Sequence, residues 1–162
     1  MTPPLTPSQT VGPFFAIGLG ATVDSRVVPE GTAGALRLSG QIFDGDGQPV
    51  PDAVIETWQP EGVGRSATDD EGHFSFVTVK PLRSDGAAHA PHIEVSVFAR
   101  GLLTRLITRV YFPDETAANA IDPVLRALEP DERATLVAVS DGNDLRFDIH
   151  LQGGRETVFF DR

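Results

Sequence analysis

The sequence predicts an all-β fold: an antiparallel β-sandwich with an extended N-terminal arm and one or two short helices. Apolar and polar residues alternate in several short segments, as they do in strands with one buried face. Turn residues separate these segments at short intervals, in keeping with 16 glycines and 13 prolines. No long segment shows a helical period. A chain of 162 residues is expected to form a single domain over 1–162.

The first fifteen residues are expected to form the extended arm. Prolines stand at positions 3, 4, 7 and 13. Proline lacks the N–H that helices and strands use, and it disfavours helix at the residue before it. The arm ends in Phe14 and Phe15, whose apolar rings need a surface to pack on. Two surfaces remain open at this point, the chain's own domain and a neighbouring chain.

The strands are expected from Leu36 onward. In the first segment, apolar residues at 36, 38 and 42 alternate with polar residues at 37, 39 and 41. The stretch 44–52 contains two Asp-Gly pairs and two prolines and reads as a turn. Two prolines interrupt 114–130, which leaves room for the short helices. The predicted strand segments are 36–43, 53–58, 64–79 with a turn at 70–72, 92–99, 105–112, 145–153 and 156–160.

The composition excludes several classes of protein. A net charge of −10 argues against binding to nucleic acid. No cysteine is present, which rules out disulfides, thiolate catalysis and cysteine zinc sites. No run of about 18 apolar residues occurs, so no membrane span is expected. The apolar stretch 14–21 is short, and no lysine or arginine precedes it as in a signal peptide. We therefore expect a cytoplasmic protein.

One motif has metal-ligand chemistry. His89, His92 and Glu94 form a His-x-x-His-x-Glu pattern, and two imidazoles with one carboxylate are a ligand set for non-haem iron(II) or zinc. On a regular strand His92 and Glu94 share one face, whereas His89 has the opposite parity and follows a Gly-Ala-Ala loop. The pattern alone leaves open a working metal site, the remains of one, and a half-exposed sheet face.

The chain resembles the intradiol ring-cleavage dioxygenases, and within them the alpha subunits of the two-chain members that act on 3,4-dihydroxybenzoate. The opening Thr-Pro-Ser-Gln-Thr-x-Gly-Pro (6–13) and the closing Glu-Thr-Val-Phe-Phe-Asp (156–161) are the most specific parts of the resemblance. Further similar stretches follow in family order and span nearly the whole chain. They are 38–59, 64–81, 90–101, 105–115 and 145–161.

The resemblance implies a ferric site made of two tyrosines and two histidines, and this chain departs from it. Fe(III) prefers phenolate oxygen, and a His-x-His on one strand aims both imidazoles at one ion. His92 matches the first histidine, but Glu94 stands at the second position. The only tyrosine, Tyr111, lies beyond His92 in an apolar run typical of core. Catalytic members also carry an arginine where this chain has His89. We therefore interpret His92 and Glu94 as a relict metal site and expect no metal and no catalytic residue in this chain.

The resemblance then implies a pocket-completing subunit. A partner beta subunit would hold the Fe(III), and the complex would cleave the aromatic diol 3,4-dihydroxybenzoate with O2 to 3-carboxy-cis,cis-muconate. Carried over position by position, the wall of the substrate pocket receives Thr10, Gly12, Pro13 and Arg100 from this chain.

Two other hypotheses stay open on the sequence alone. One is a free-standing β-sandwich binding module, which predicts a stable monomer. The other is a divergent metalloenzyme using His89, His92 and Glu94, which predicts stoichiometric metal in the isolated chain.

Overall fold

The structure is a computed structural model and describes residues 5–12, 14–20, 24–82 and 88–161. Within these ranges it contains nine strands and four short helices. The helices are α1 (Phe14–Gly20), α2 (Thr116–Asn119), α3 (Pro123–Ala127) and α4 (Pro130–Ala134). The strands are β1 (Ala35–Phe43), β2 (Val54–Gln59), β3 (Gly62–Ala67), β4 (His73–Val79), β5 (His92–Phe98), β6 (Leu106–Tyr111), β7 (Val139–Asp141), β8 (Asp144–Arg146) and β9 (Ile149–His150).

The strands form two sheets, and the predicted all-β sandwich is confirmed. The first sheet has the order β4–β1–β8–β7, and β9 also pairs with β1. The second sheet has the order β3–β2–β5–β6. Most pairs are antiparallel, whereas β8 and β9 run parallel to β1. The sheets are therefore dominated by antiparallel pairing, with a parallel component that the sequence pattern did not reveal.

The apolar core lies between the two sheets. Alternate residues of β5, Ile93, Val95 and Val97, are buried and pack in one cluster with Leu38 and Ile42 of β1. Successive strand residues point to opposite faces, so His92 and Glu94 lie on the other face of the second sheet. This outer face is where the candidate site is built.

The predicted segment 145–153 is two short strands with a break between them. Gly40 of β1 approaches the break so closely that a Cβ there would lie 1.8 Å from the carbonyl oxygen of Phe147. At the same place the Gln41 N–H donates to the side chain of Asp148 at 3.0 Å. A carboxylate thus replaces a backbone acceptor, which interrupts the ladder.

Two other expectations about the chain ends are wrong. Phe14 and Phe15 begin helix α1 rather than end an extended arm, and the Phe15 N–H donates to the Gly12 carbonyl at 3.0 Å. The segment 156–160 forms no regular strand, because side-chain hydroxyls take several of its hydrogen bonds. The Thr108 hydroxyl donates to the Val158 carbonyl, and the Thr135 hydroxyl accepts from the Val158 N–H.

Three of the helices fall in or just beyond the stretch where one or two were expected. Asp122 and Glu129 stand directly before Pro123 and Pro130, the first residues of α3 and α4, and proline fits the first turn of a helix. The prolines thus start helices here instead of only interrupting them. Within the described residues, no helix has the length and apolar character needed to cross a membrane.

Candidate functional site

The predicted relict metal position, His92 and Glu94, lies at the start of β5, on the outer face of the second sheet. The His92 Nδ1 lies 2.8 Å from the carbonyl oxygen of Ala90. Because a carbonyl can only accept, Nδ1 carries the proton, so in the neutral ring Nε2 keeps its lone pair. Burial lowers the pKa of His92 and outweighs the opposite effect of that hydrogen bond. The structure therefore has a neutral imidazole at the position that the sequence resemblance matches to a metal ligand.

Glu94 faces a cation and not a second ligand. Arg109 stands directly opposite Glu94 on β6, with its Nη2 3.5 Å from the Glu94 Oε1. The same guanidinium lies 5.5 Å from the centre of the Phe160 ring, a cation–π distance. Arg109 was not singled out from the sequence, although its parity on the neighbouring strand is the signal that could have found it. A cation of this chain thus pairs with the carboxylate at the position where the resemblance implies a second histidine.

Tyr111 belongs to the core, as its apolar surroundings predict. Its side chain is fully buried and packs with Leu125 and Leu136 in a second apolar cluster. Its hydroxyl lies 3.3 Å from the Asp122 Oδ1. Burial raises the pKa of Tyr111, which favours the neutral phenol over the phenolate that Fe(III) needs.

His89 pairs with the carboxylate of Asp122, whereas the metalloenzyme hypothesis required it to share a metal with Glu94. Its Nδ1 lies 3.4 Å from the Asp122 Oδ2, and its ring centre is 6.0 Å from that of His92. Over the described ranges, no group of three or more His, Asp or Glu side chains has metal-binding geometry. The residues around His92 therefore do not fit the ligand set of two tyrosines and two histidines. His89, His92 and Glu94 border one groove but do not form a metal-binding group among the described residues.

Asp122 is the buried anchor of this region, and sequence reasoning missed it. It caps α3, because one carboxylate oxygen accepts from the Val124 N–H at 2.8 Å and the Leu125 N–H at 3.1 Å. The other oxygen accepts from the Ala90 N–H at 2.8 Å. Burial alone would raise the pKa of Asp122, but these hydrogen bonds outweigh it and lower the pKa. The Asp-Pro pair at the helix start is the signal that could have found it.

An open groove of about 490 Å³ adjoins His92. Trp58 and Leu82, both exposed, form part of its wall. Apolar exposure of this kind is typical of a binding or docking surface.

The predicted pocket residues gather at the other end of β5. The Thr10 hydroxyl accepts a hydrogen bond from the Gly101 N–H at 2.8 Å, which ties the arm to the residue after Arg100. Phe15 packs on Phe98, with ring centres 5.6 Å apart. Arg100 is exposed, and its Nε lies 2.8 Å from the Asp52 Oδ2. Thr10 and Arg100, far apart in sequence, thus lie in one surface region, which we call the arm region.

Gly12 also lies in the arm, while Pro13 lies outside the described residues. A Cβ at Gly12 would meet no atom within 4 Å in the described part of the chain. The described part of the chain therefore leaves open space beside Gly12.

The relict position and the arm region are well separated. At about 3.3 Å per residue, the strand from His92 to Phe98 spans about 20 Å, and Arg100 lies beyond its end. Thr10 and Arg100 therefore do not line the relict position of their own chain.

Two relatives that match this sequence over nearly their full length are alpha chains of one enzyme. The chain is 44% identical to the protocatechuate 3,4-dioxygenase alpha chain of Burkholderia cepacia, over 96% of each chain. It is 40% identical to the alpha chain of Pseudomonas putida, over 98% of this chain and 96% of the relative. The beta chain from Burkholderia cepacia is 28% identical over 73% of this chain and 64% of its own length. No family model matches the sequence.

The fold is also that of solved dioxygenases. The dioxygenase domain of a carbohydrate-binding fusion protein from Streptomyces sp. SirexAA-E superposes with a TM-score of 0.65, at 24% identity, over 82% of this chain and 89% of that one. The two alpha-chain relatives match essentially end to end. The chain belongs to the protocatechuate 3,4-dioxygenase alpha-chain family of the intradiol dioxygenases.

Proposed function

We propose that this chain is the iron-free alpha subunit of a protocatechuate 3,4-dioxygenase. Intradiol dioxygenases are non-haem iron enzymes, and in this proposal a beta subunit binds the Fe(III). The complex opens the ring of 3,4-dihydroxybenzoate between the two hydroxyl-bearing carbons, and both atoms of O2 enter 3-carboxy-cis,cis-muconate. This chain contributes substrate-pocket residues and no reacting group.

The donor set around His92 carries the proposal. A ferric site of this family needs phenolate and imidazole ligands, whereas this chain offers one imidazole beside a glutamate that already faces Arg109 at 3.5 Å. The one tyrosine is a buried phenol next to Asp122. Chemistry at this position would require losing the Glu94–Arg109 pair and exposing Tyr111.

The arm region supports a role towards another chain. Phe14 and Ile17 on α1 are 78% and 71% exposed. Burying such apolar side chains against another surface would be favourable in free energy. Their exposure fits an interface with a partner that lies over the arm. Thr10, Gly12 and Arg100 would then border the partner's active site, since their own relict position lies at the far end of β5.

Arg100 is suited to the substrate's carboxylate. The chain carries a net charge of −10, so its mean field repels an anionic substrate. A guanidinium at the mouth of the pocket offsets this repulsion locally and can bind a carboxylate through two N–H groups. In this proposal Arg100 recognises the substrate and takes no part in bond cleavage.

In the co-expressed complex, Arg100→Ala is expected to lower kcat/KM for 3,4-dihydroxybenzoate by about ten-fold or more, a loss of roughly 1.5–3 kcal/mol. Most of the loss should persist at high salt, because a guanidinium covered by the partner and the substrate is only weakly screened. Iron content should not change, because Arg100 is no ligand. Steady-state kinetics against ionic strength test this.

Arg146→Ala is the matched control, since Arg146 is also exposed and its Nε lies 3.0 Å from the Asp148 Oδ2. It lies on the first sheet, away from the arm region, and should leave kcat/KM unchanged. Equal kcat/KM for wild type and Arg100→Ala at low salt would make Arg100 a bystander. An Arg100→Ala defect of less than about two-fold that disappears with salt would mean that Arg100 only steers the substrate from solvent.

A further inference from the structure

Asp52 is the immediate partner of Arg100, and its conformation is unusual. It stands in the turn before β2 with a φ of +58°, the one residue other than glycine with a positive φ in the described part of the chain. Side chains with a Cβ rarely adopt this region, although aspartate and asparagine enter it more readily than most. In a turn with proline one position earlier, as here with Pro51, glycine or asparagine is the usual choice.

A second feature of Asp52 also opposes folding stability. Its Oδ1 is buried and has no hydrogen-bond partner among the described residues. A buried carboxylate oxygen without a donor is unfavourable. The backbone conformation and the orphan oxygen are both unfavourable, so the reason for an aspartate at this position lies elsewhere than in the stability of the turn.

The turn that carries Asp52 is held in place by Thr68. The Thr68 hydroxyl donates to the Val50 carbonyl at 3.0 Å and accepts from the Ala53 N–H at 2.9 Å. The Thr68 N–H also donates to the Ala53 carbonyl at 2.9 Å. These bonds bracket Asp52 on both sides and fix where its side chain emerges.

The fixed position of Asp52 orients the guanidinium of Arg100. The Asp52 Oδ2 lies 2.8 Å from the Arg100 Nε. The Nε carries one N–H, and the four N–H groups on the two Nη atoms remain for another acceptor. A guanidinium held through Nε can present its Nη end to a carboxylate in the two-pronged geometry that arginine favours.

We propose that Asp52 is a positioning residue that orients Arg100 for the carboxylate of the substrate. The proposal rests on the proposed pocket role of Arg100. Asp52 has two opposing effects on an anionic ligand: it fixes the guanidinium, and its own charge repels the substrate. High salt weakens the repulsion, because the Asp52 side chain is partly exposed and dissolved ions screen its charge. The orientation of Arg100 by a direct hydrogen bond does not depend on this screening.

The test uses the complex co-expressed with the beta chain, assayed with 3,4-dihydroxybenzoate at about 0.5 M salt. Asp52→Gly should raise KM about three- to ten-fold, with kcat within about two-fold of wild type. Asp52→Asn keeps an oxygen that can accept from the Arg100 Nε and should raise KM less. The Tm of Asp52→Gly should be equal or higher, because glycine accepts a positive φ without strain. A merely structural role would instead lower stability and activity together.

A double-mutant cycle assigns the effect to Arg100. In the Arg100→Ala background, Asp52→Gly should leave KM unchanged, because there is no guanidinium left to orient. Two results would overturn the role of Asp52 and leave the proposed function standing. One is that Asp52→Gly raises KM equally with and without Arg100. The other is that Asp52→Gly does not raise KM at high salt, although Arg100→Ala lowers kcat/KM. No defect in Arg100→Ala itself would instead remove the pocket role on which both rest.

Discussion

Purified without a partner chain, this protein is expected to be colourless and to contain no ferric iron. Phenolate-to-iron charge transfer colours sites of this family, and the phenol of Tyr111 is buried against Asp122 with a raised pKa. The remaining donors at the relict position are the neutral His92 and a glutamate facing Arg109. Metal analysis and a visible absorption spectrum of the isolated chain measure this directly.

The variant Glu94→His sharpens the test, because it restores the His-x-His spacing of the family. It should still bind no iron, since no phenolate is available and the new imidazole would face the guanidinium of Arg109. About one iron per wild-type chain with a visible band would contradict the interpretation of a relict site and revive the metalloenzyme. If Glu94→His bound iron and the wild type did not, the missing tyrosines would not be what prevents this chain from binding iron.

The largest effect on stability is expected at Asp122. Asp122→Ala removes the cap of α3 and leaves the N–H groups of Ala90 and Leu125, both residues buried, without their acceptor. A lost cap costs about 1 kcal/mol, and an unsatisfied buried donor adds roughly 1–3 kcal/mol. The free energy of unfolding should therefore fall by about 3 kcal/mol, measured by denaturant unfolding of the wild-type and Asp122→Ala chains, each co-expressed with the beta chain and prepared identically.

The stability of the folded chain at acid pH should also depend on the Asp122 carboxylate. The folded-state pKa of Asp122 is lowered, so its contribution to stability is present above the unfolded pKa of about 3.9 and is lost as the pH falls through the folded value. The wild type should lose stability below about pH 4 more steeply than Asp122→Ala. Asp70→Ala changes an exposed turn aspartate and should leave the acid limb almost unchanged. Parallel acid limbs for wild type and Asp122→Ala would contradict this role.

The sequence predicts much of the sheet architecture because the strands obey a period of two. In β5 the buried residues Ile93, Val95 and Val97 are those that the alternation assigns to the core. Tyr111 was also correctly expected to be core. The strand at 156–160 was wrong because Val158 hydrogen-bonds to threonine hydroxyls, which no periodicity encodes, instead of continuing a backbone ladder.

The site was only partly predictable. The family motifs identify His92 and Glu94, but the partners Arg109, Asp122 and Asp52 become visible only through contacts between segments distant in sequence. The joining of Thr10 to Gly101 likewise spans most of the chain. The placement of Thr10, Gly12 and Arg100 in a substrate pocket stays a prediction, since it depends on a partner chain.

Native mass spectrometry of the protein co-expressed with a beta chain distinguishes an iron-free alpha subunit from the alternatives, because one spectrum reports both the chain ratio and the metal content. We expect equal numbers of the two chains and one iron for each alpha–beta pair, with the exposed Phe14 and Ile17 of α1 covered in a large interface. The isolated chain should aggregate or self-associate. Two irons per pair, or a well-behaved monomer that does not join the beta chain, would contradict the account, the latter in favour of a free-standing binding module.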